Sequence, residues 1–205
     1  MSPAHAAAIP SSVIFNPLPA QATLSPRNPA RRRAVSACSL EFTIGDITRQ
    51  SVDAIVNPAG PGLVDLAVRR GAGPDLLEAF HAALAELPEQ RLAPGQAVVT
   101  PGFALPAPHV IHVAPPVYAD DPASARAQLA ACYVEALRVA RERGFASIAF
   151  PAIATGVYRY PADEAAEVAV GAVVAALRAQ GGPPVVRFVL SSPAMLRRYA
   201  GAANG

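Results

Sequence analysis

Three short segments of the sequence combine glycine with hydrogen-bonding side chains, and each follows an apolar run directly. They are GDIT at 45–48, NPAGPGLVD at 57–65 and PAIATGVYRYP at 151–161. A glycine turn before a helix exposes backbone N–H groups, and such groups bind anions, phosphate among them. In α/β folds, ligands usually bind at the carboxyl ends of the strands. Together the three segments predict one site for an elongated, phosphate-containing ligand.

The side chains in these segments also have structural explanations. Asp46 could accept a hydrogen bond from a ligand amino group or cap its own turn. Asp65 begins a helical pattern, where aspartate commonly caps the helix. Thr155 could add a hydroxyl donor, and Tyr158 and Tyr160 could pack over a sugar or fill the edge of the core. The residues alone leave these alternatives open.

Apolar periodicity predicts the elements that position the three segments. Six short runs rich in β-branched residues predict strands, namely LEFTI, DAIVN, QAVVTP, HVIHVA, SIAF and VVRFVLS. Five stretches with apolar residues three and four apart predict helices, at 64–70, 74–87, 123–143, 162–180 and 195–200. This alternation predicts an α/β fold, in which a sheet lies between layers of helices.

Charge separates a leader from the rest of the chain. The first 40 residues contain four arginines and no acid, whereas the remaining residues contain 13 arginines and all 15 acids, a formal charge of −2. This balance argues against a nucleic-acid ligand. No apolar run approaches the ~18–20 residues that cross a bilayer, so no membrane segment is predicted. Two cysteines, Cys38 and Cys132, and histidines without metal-ligand spacing predict neither a metal nor a cofactor.

The leader, residues 1–37, is rich in Ala, Ser and Pro. An acid-free, Arg- and Ser-containing segment with many prolines is typical of a plastid transit peptide, and VSAC (35–38) predicts cleavage before Cys38. The alternative is a tail without a targeting role, which leaves the protein in the cytoplasm or nucleus. We therefore expect a disordered leader over 1–37, one domain over 40–199 and a tail over 200–205. A fusion of residues 1–50 to a fluorescent reporter distinguishes a transit peptide from a tail without a targeting role, because a diffuse signal would exclude import into plastids.

Taken in order, four segments resemble the macrodomain family. They are GDIT-R-QSVDAIVNPA, VDLAVRRGAGPDL, GQAVVTPGFALPAPHVIHVAPPVY and IAFPAIATGVYRYPADEAA, and the resemblance runs from about Leu40 to about Tyr199. It implies a three-layer α/β/α sandwich around a mixed six-stranded sheet. The family's ligand is ADP-ribose, free or on proteins. Some members hydrolyse ADP-ribosyl esters, ADP-ribose-1″-phosphate or O-acetyl-ADP-ribose.

The resemblance also implies roles for individual residues. Asp46 matches the acid that accepts a hydrogen bond from the adenine amino group, and Ile47 matches the neighbour that lines the adenine pocket. Asn57 matches the first Asn of the family's N-A-A-N strand end, near the distal ribose. Asp65 matches a later acid and is the catalytic candidate, placing a water against the anomeric carbon. The diphosphate loop is matched by Ala154, Thr155, Gly156, Val157 and Tyr158.

Departures from the family pattern bear on activity. Gly60 occupies the position of the second Asn in the family's N-A-A-N strand end, and the segment 57–65 lacks the family's glycine run. Ser191 occupies the position where many members stack an aromatic ring on adenine. These departures predict recognition of ADP-ribose or ADP-ribosylated protein with weak or lost hydrolase activity. We expect the protein to be a monomer. The alternatives are an active hydrolase of the substrates named above, and a non-binding relic that acts as an interaction module.

Overall fold

The computed structural model describes residues 12–15, 34–35, 37–60, 64–119 and 121–204, with the backbone alone for residues 12–15 and 34. Two predictions concern residues outside these ranges. Most of the leader, on which the targeting prediction depends, lies outside them. So does the middle of the shortened loop, residues 61–63, which includes Gly62.

The strands that the structure describes form one mixed sheet. They are β1 (Ser12–Phe15), β2 (Ala34–Val35), β3 (Cys38–Ile44), β4 (Ala54–Pro58), β5 (Ala97–Pro101), β6 (His109–Val113), β7 (Ser147–Phe150) and β8 (Val185–Leu190). The order is β1-β3-β8-β7-β4-β6-β5, with β2 also paired to β3. The strands β3, β8, β7, β4 and β6 run parallel, whereas β5, β1 and β2 are antiparallel to their neighbours. The six predicted strands and their mixed sheet are confirmed.

The two additional strands come from the segment predicted to be disordered. Strand β1 pairs with Leu40–Thr43 and β2 pairs with Cys38–Ser39, so both cover the outer edge of β3. An uncovered edge strand presents unpaired N–H and C=O groups. The structure therefore has strands at 12–15 and 34–35, within the leader expected to be disordered. Cleavage before Cys38 would detach both strands.

Five α-helices cover the two faces of the sheet in the described part of the chain. They are α1 (Leu66–Ala72), α2 (Asp75–Ala85), α3 (Pro122–Glu142), α4 (Ala162–Gln180) and α5 (Pro193–Ala202). The last helix extends three residues beyond the predicted domain end at Tyr199, so the tail predicted from 200 is partly helical. None of the described helices is long and apolar enough to cross a membrane.

Side chains alternate between the two faces along each central strand, as the pleat requires. In β8, Phe188 and Leu190 pack in the core with α3, α4 and α5, whereas Val189 packs in the core with α1 and α2. In β4, Val56 faces the first of these cores and Ile55 the second. Both faces of the sheet are thus buried, which explains the nearly continuous apolar runs of the parallel strands.

Parallel strands bring the three predicted segments to one edge of the sheet. GDIT follows β3, NPAGPGLVD spans the end of β4, and PAIATGVYRYP follows β7. Neighbouring strands are about 4.8 Å apart, and three spacings separate β3 from β4, so the edge spans roughly 14 Å between the first and second segments. An elongated ligand along this edge would contact all three.

Candidate functional site

The loop after β7 presents a row of free backbone donors. In the described part of the chain, no acceptor lies within hydrogen-bonding distance of the N–H groups of Gly156, Val157 and Tyr158. The Val157 side chain beside them is 89% exposed. Arg159 follows, exposed and without an ion pair among the described residues. Successive free N–H groups next to a cation form a site for an anion.

Strained backbone at two residues shapes this loop. Ala154 and Arg159 have positive φ angles of 66° and 54°. This region disfavours residues with a Cβ, and such residues persist where their surroundings fix them. The Tyr160 N–H donates to Ala154 O and the Arg159 N–H donates to Gly156 O, each at 3.0 Å. The loop is therefore held closed at its base, which leaves the donors at its tip.

Two side chains of the loop are committed to the protein itself. The Thr155 hydroxyl donates to Ala152 O at 2.9 Å, so it does not supply the extra donor that the sequence suggested. Tyr160 is buried, and its hydroxyl donates to Glu164 Oε1 at 3.2 Å. Burial, followed by the Glu164 carboxylate, raises the pKa of Tyr160 to about 12. Tyr158 is only half-buried and remains available to a ligand.

Glu164 connects this loop to the segment after β6. Its Oε2 accepts from the Tyr118 hydroxyl at 3.4 Å, and the Tyr118 and Tyr160 rings lie 4.7 Å apart. The Tyr118 N–H also donates to Tyr158 O at 3.3 Å. The two loops therefore form one packed unit, a linkage that sequence spacing did not reveal.

Asp46 caps the turn after β3. Its Oδ1 accepts from the Thr48 N–H at 2.8 Å and from the Thr48 hydroxyl at 2.7 Å. These hydrogen bonds, with a smaller contribution from Arg49, hold the pKa of Asp46 below its usual range. The Oδ2 atom is 3.7 Å from Arg49 Nε, and the side chain is 51% exposed. The capping explanation is confirmed, while one carboxylate oxygen remains for a ligand.

Asn57, which the sequence predicts to lie near the distal ribose, forms hydrogen bonds within the protein. It is fully buried, and its Oδ1 accepts from the Asp65 N–H at 3.2 Å. Asp65 is exposed, and its Oδ1 caps α1 by accepting from the N–H groups of Ala67 (2.8 Å) and Val68 (3.4 Å). Asn57 thus holds the backbone of Asp65 in place. The second carboxylate oxygen of Asp65 has no partner among the described residues.

A buried histidine fixes the orientation of the Asn57 amide. His112 lies opposite Asn57 in the register of β4 and β6, with Nδ1 3.0 Å from Asn57 Nδ2. Its Nε2 lies 2.9 Å from Thr100 Oγ1, and Phe80 packs on the ring at 4.6 Å. Since Asn57 Oδ1 already accepts from Asp65, Asn57 Nδ2 donates to His112 Nδ1. His112 Nε2 therefore carries the ring hydrogen and donates a hydrogen bond to Thr100 Oγ1. Burial lowers the pKa of His112 to about 3, so the ring is neutral.

We expect stability to fall between pH 7 and pH 5 because of His112. Its folded pKa is about 3 and the ordinary value is 6.5. The unfolded chain takes up a proton as pH falls below 6.5, while the folded chain does not. The free energy of unfolding should therefore fall by about 2 kcal/mol between pH 7 and pH 5. Urea denaturation at the two pH values measures it. In His112→Gln the side chain is neutral in the folded and the unfolded state, so this fall in the free energy of unfolding should disappear. An equal fall in the variant would mean that another group causes it.

Ser191 occupies the position where the resemblance implied an aromatic ring. It follows β8 and is exposed, and the next residue, Ser192, caps α5 by accepting from the Met195 N–H at 3.3 Å. No aromatic side chain is supplied here by β8 or α5. The polar and apolar groups at this end of the sheet edge are therefore Asp46, the half-buried Ile47 and the start of α5.

Comparison with known proteins identifies the family. Residues 56–169 match the model of the Macro domain family, "Macro domain". The chain is 43% identical over 155 residues to an O-acetyl-ADP-ribose deacetylase of Enterobacter sp. (strain 638), covering 73% of this chain and 85% of the relative. The chain therefore belongs to the macrodomain family, as the sequence predicted.

Two solved structures support the same conclusion. A mutant Oceanobacillus iheyensis macrodomain solved with ADPR has a TM-score of 0.80 and 32% identity, covering 84% of this chain and 95% of that one. The Trypanosoma brucei macrodomain in complex with ADP-ribose has a TM-score of 0.66 and 31% identity, covering 79% of this chain and 68% of that one.

Proposed function

We propose that this protein binds ADP-ribose, free or attached to protein, along the carboxyl edge of the sheet, and that its ADP-ribosyl hydrolase activity is weak or lost. The observation on which this depends is the loop tip, where three successive N–H groups lack an acceptor in the described part of the chain. A diphosphate carries the charge and oxygen atoms that such donors bind. Macrodomain neighbours were solved with ADP-ribose and with ADP.

The adenosine end of the ligand would lie at the turn after β3. Asp46 Oδ2 can accept a hydrogen bond from the adenine amino group, because only Oδ1 is used by the cap. The turn is well supported: Gln50 Nε2 donates to Asp46 O at 2.9 Å, and Arg187 Nη1 donates to Gln50 Oε1 at 3.2 Å. A rigid turn lowers the entropy lost on binding.

The terminal ribose would lie at the end of β4, beside Asp65. The free carboxylate oxygen of Asp65 could hold a water against the anomeric carbon. However, Asp65 is exposed, and Gly60 provides no side chain to orient that water. Solvent weakens electrostatic interactions with the carboxylate. Catalysis that depends on the position of a water is sensitive to a displacement of about an ångström. A poorly oriented water at Asp65 would therefore allow ligand binding but only slow turnover.

A second candidate function is hydrolysis of O-acetyl-ADP-ribose at a useful rate. Two observations favour it: relatives 41–43% identical bear the name O-acetyl-ADP-ribose deacetylase, and Asn57 fixes Asp65 although the intervening segment is short. Turnover by the wild-type protein decides between the two candidates.

Calorimetric titration with ADP-ribose, ADP and adenosine tests the proposed binding. Hydrogen bonds to charged groups contribute roughly 1.5–3 kcal/mol each to binding. Adenosine lacks the diphosphate and would lose two of them, so it should bind at least ~100-fold more weakly than ADP. ADP and ADP-ribose should bind within about tenfold of each other, since both carry the diphosphate. Equal affinity for adenosine and ADP would mean that the loop does not bind the diphosphate. Absence of a binding heat with all three ligands would contradict the proposed binding of ADP-ribose.

A further inference from the structure

Tyr133, on α3, contacts the loop after β7 through its hydroxyl group. The Ile153 N–H donates to the Tyr133 hydroxyl oxygen at 3.2 Å, and the hydroxyl donates to Pro151 O at 3.4 Å. Pro151 is the first residue after β7, and Ile153 is the third. The hydroxyl therefore joins the helix that precedes β7 to the loop entry, residues 151–153.

Two backbone groups of the loop entry depend on Tyr133 for their hydrogen bonds. In the described part of the chain, the Ile153 N–H has no other acceptor and Pro151 O has no other donor. Ile153 is fully buried, so water does not replace the hydroxyl there. A buried backbone group without a partner costs free energy comparable to a lost hydrogen bond. Loss of the hydroxyl therefore favours a different conformation of the loop entry.

Aromatic packing fixes the position of the Tyr133 ring. Its centroid lies 5.1 Å from that of Phe150 on β7 and 5.9 Å from that of Phe188 on β8, and Tyr133 is fully buried. Packed aromatic pairs are favourable beyond the area that they bury. Burial raises the pKa of the Tyr133 hydroxyl well above its usual range, so the hydroxyl keeps the proton that it donates to Pro151 O.

The loop entry determines the position of the loop tip, residues 156–158. Gly156 is three positions after Ile153, and Ala154, between them, has a positive φ of 66°. A positive φ persists in a residue with a Cβ where the surroundings fix it. Tyr133 fixes the chain just before Ala154, and the Tyr160 N–H holds Ala154 O. A shift of the loop entry would therefore relax the Ala154 backbone and displace the N–H groups of the loop tip.

We propose that Tyr133 is a positioning residue for the diphosphate: its hydroxyl holds the loop entry, so that the three N–H groups of the loop tip converge on the phosphate oxygens. The proposal rests on the proposed function, because it requires the diphosphate at the loop tip. Tyr133 is fully buried and contacts no ligand itself; it acts through the backbone of residues 151 and 153.

Removal of the hydroxyl in Tyr133→Phe tests the proposal. ADP-ribose and ADP should each bind about tenfold more weakly, since a displaced loop tip loses the equivalent of one hydrogen bond to a charged group. The affinity for adenosine, which has no diphosphate, should stay unchanged. The melting temperature should fall by about 3–6 °C, because two buried backbone groups lose their partner. Calorimetry on the full chain measures ADP-ribose and ADP, and an NMR titration measures the weaker adenosine.

Tyr199→Phe is the matched control, because it removes the same group from the same cluster of aromatic rings. Tyr199, on α5, is fully buried, and its ring centroid lies 5.2 Å from that of Phe188. Its hydroxyl has no hydrogen-bond partner among the described residues. The variant should therefore keep the affinity for all three ligands, and its melting temperature should not fall.

The outcomes separate failure of the positioning role from failure of the proposed function. Weaker binding of ADP-ribose and ADP in Tyr133→Phe, with adenosine unchanged and Tyr199→Phe unaffected, supports the proposal. Wild-type affinity for ADP in Tyr133→Phe would contradict the positioning role while ADP-ribose binding stands. An equal loss for ADP and adenosine would show a general structural role, and the same loss in Tyr199→Phe would assign the effect to aromatic packing; either result would contradict the proposal. Absence of binding by the wild-type protein would contradict the proposed function and the positioning role together.

Discussion

Replacing Gly156 by Glu is expected to weaken ADP-ribose binding by at least ~100-fold. The new carboxylate would lie at the loop tip, where the diphosphate is proposed to bind. Two unit charges 4 Å apart repel by about 4 kcal/mol at an effective dielectric of 20, which exceeds the energy of a 100-fold change. The fold should tolerate the side chain, because a Cβ at Gly156 meets no atom within 4 Å and the backbone φ is not positive.

A matched control separates this local effect from the added charge. Gly171→Glu places the same carboxylate on the exposed side of α4, where a Cβ also meets nothing within 4 Å. It should keep ADP-ribose affinity, and it should not lower the melting temperature, since Glu favours a helix more than Gly does. Calorimetry measures the affinities. Wild-type affinity in Gly156→Glu would mean that the ligand binds elsewhere.

Replacing Asp65 by Ala is expected to lower any residual turnover by on the order of 100-fold, with little change in KM. Asp65 is the one acid proposed to hold the attacking water. Its Oδ1 caps α1, and its Oδ2 has no partner among the described residues. Hydrolysis of O-acetyl-ADP-ribose and of ADP-ribosylated protein, followed by product analysis, measures it. We expect the wild-type rate itself to be low. Gly60→Asn should restore little, since the segment 57–65 stays short.

Asp65→Asn separates the carboxylate from the helix cap. Asparagine keeps a cap acceptor about as good as aspartate but removes the charge. If the carboxylate positions the water, both Asp65→Asn and Asp65→Ala lose turnover. If only the cap matters, Asp65→Asn stays active. Brisk wild-type hydrolysis that survives Asp65→Ala would overturn the weak-activity proposal and the choice of catalytic residue, and would favour the second candidate function.

Much of the fold could be predicted because its signals are local. Strands such as SIAF and VVRFVLS are short apolar runs with β-branched residues, and α3 repeats apolar residues at three and four. Both signals depend on neighbours along the chain. The location of the loop after β7 was also predictable, because it follows from glycine chemistry at a strand end and a parallel sheet.

Other features depend on contacts between distant residues. Asn57 and His112 are 55 positions apart, and their hydrogen bond depends on the register of β4 with β6, which periodicity does not determine. The Thr155 hydroxyl is used by Ala152 through a local turn that the sequence did not reveal.

Backbone amide shifts during an NMR titration with ADP-ribose test the central proposal most directly. If the loop binds the diphosphate, the ¹H resonances of Gly156, Val157 and Tyr158 should move downfield, because their N–H groups, which have no acceptor among the described residues, gain charged acceptors. The same three resonances should move with ADP and stay in place with adenosine. Saturable binding of ADP-ribose that leaves all three unchanged would contradict the assignment of the diphosphate to this loop.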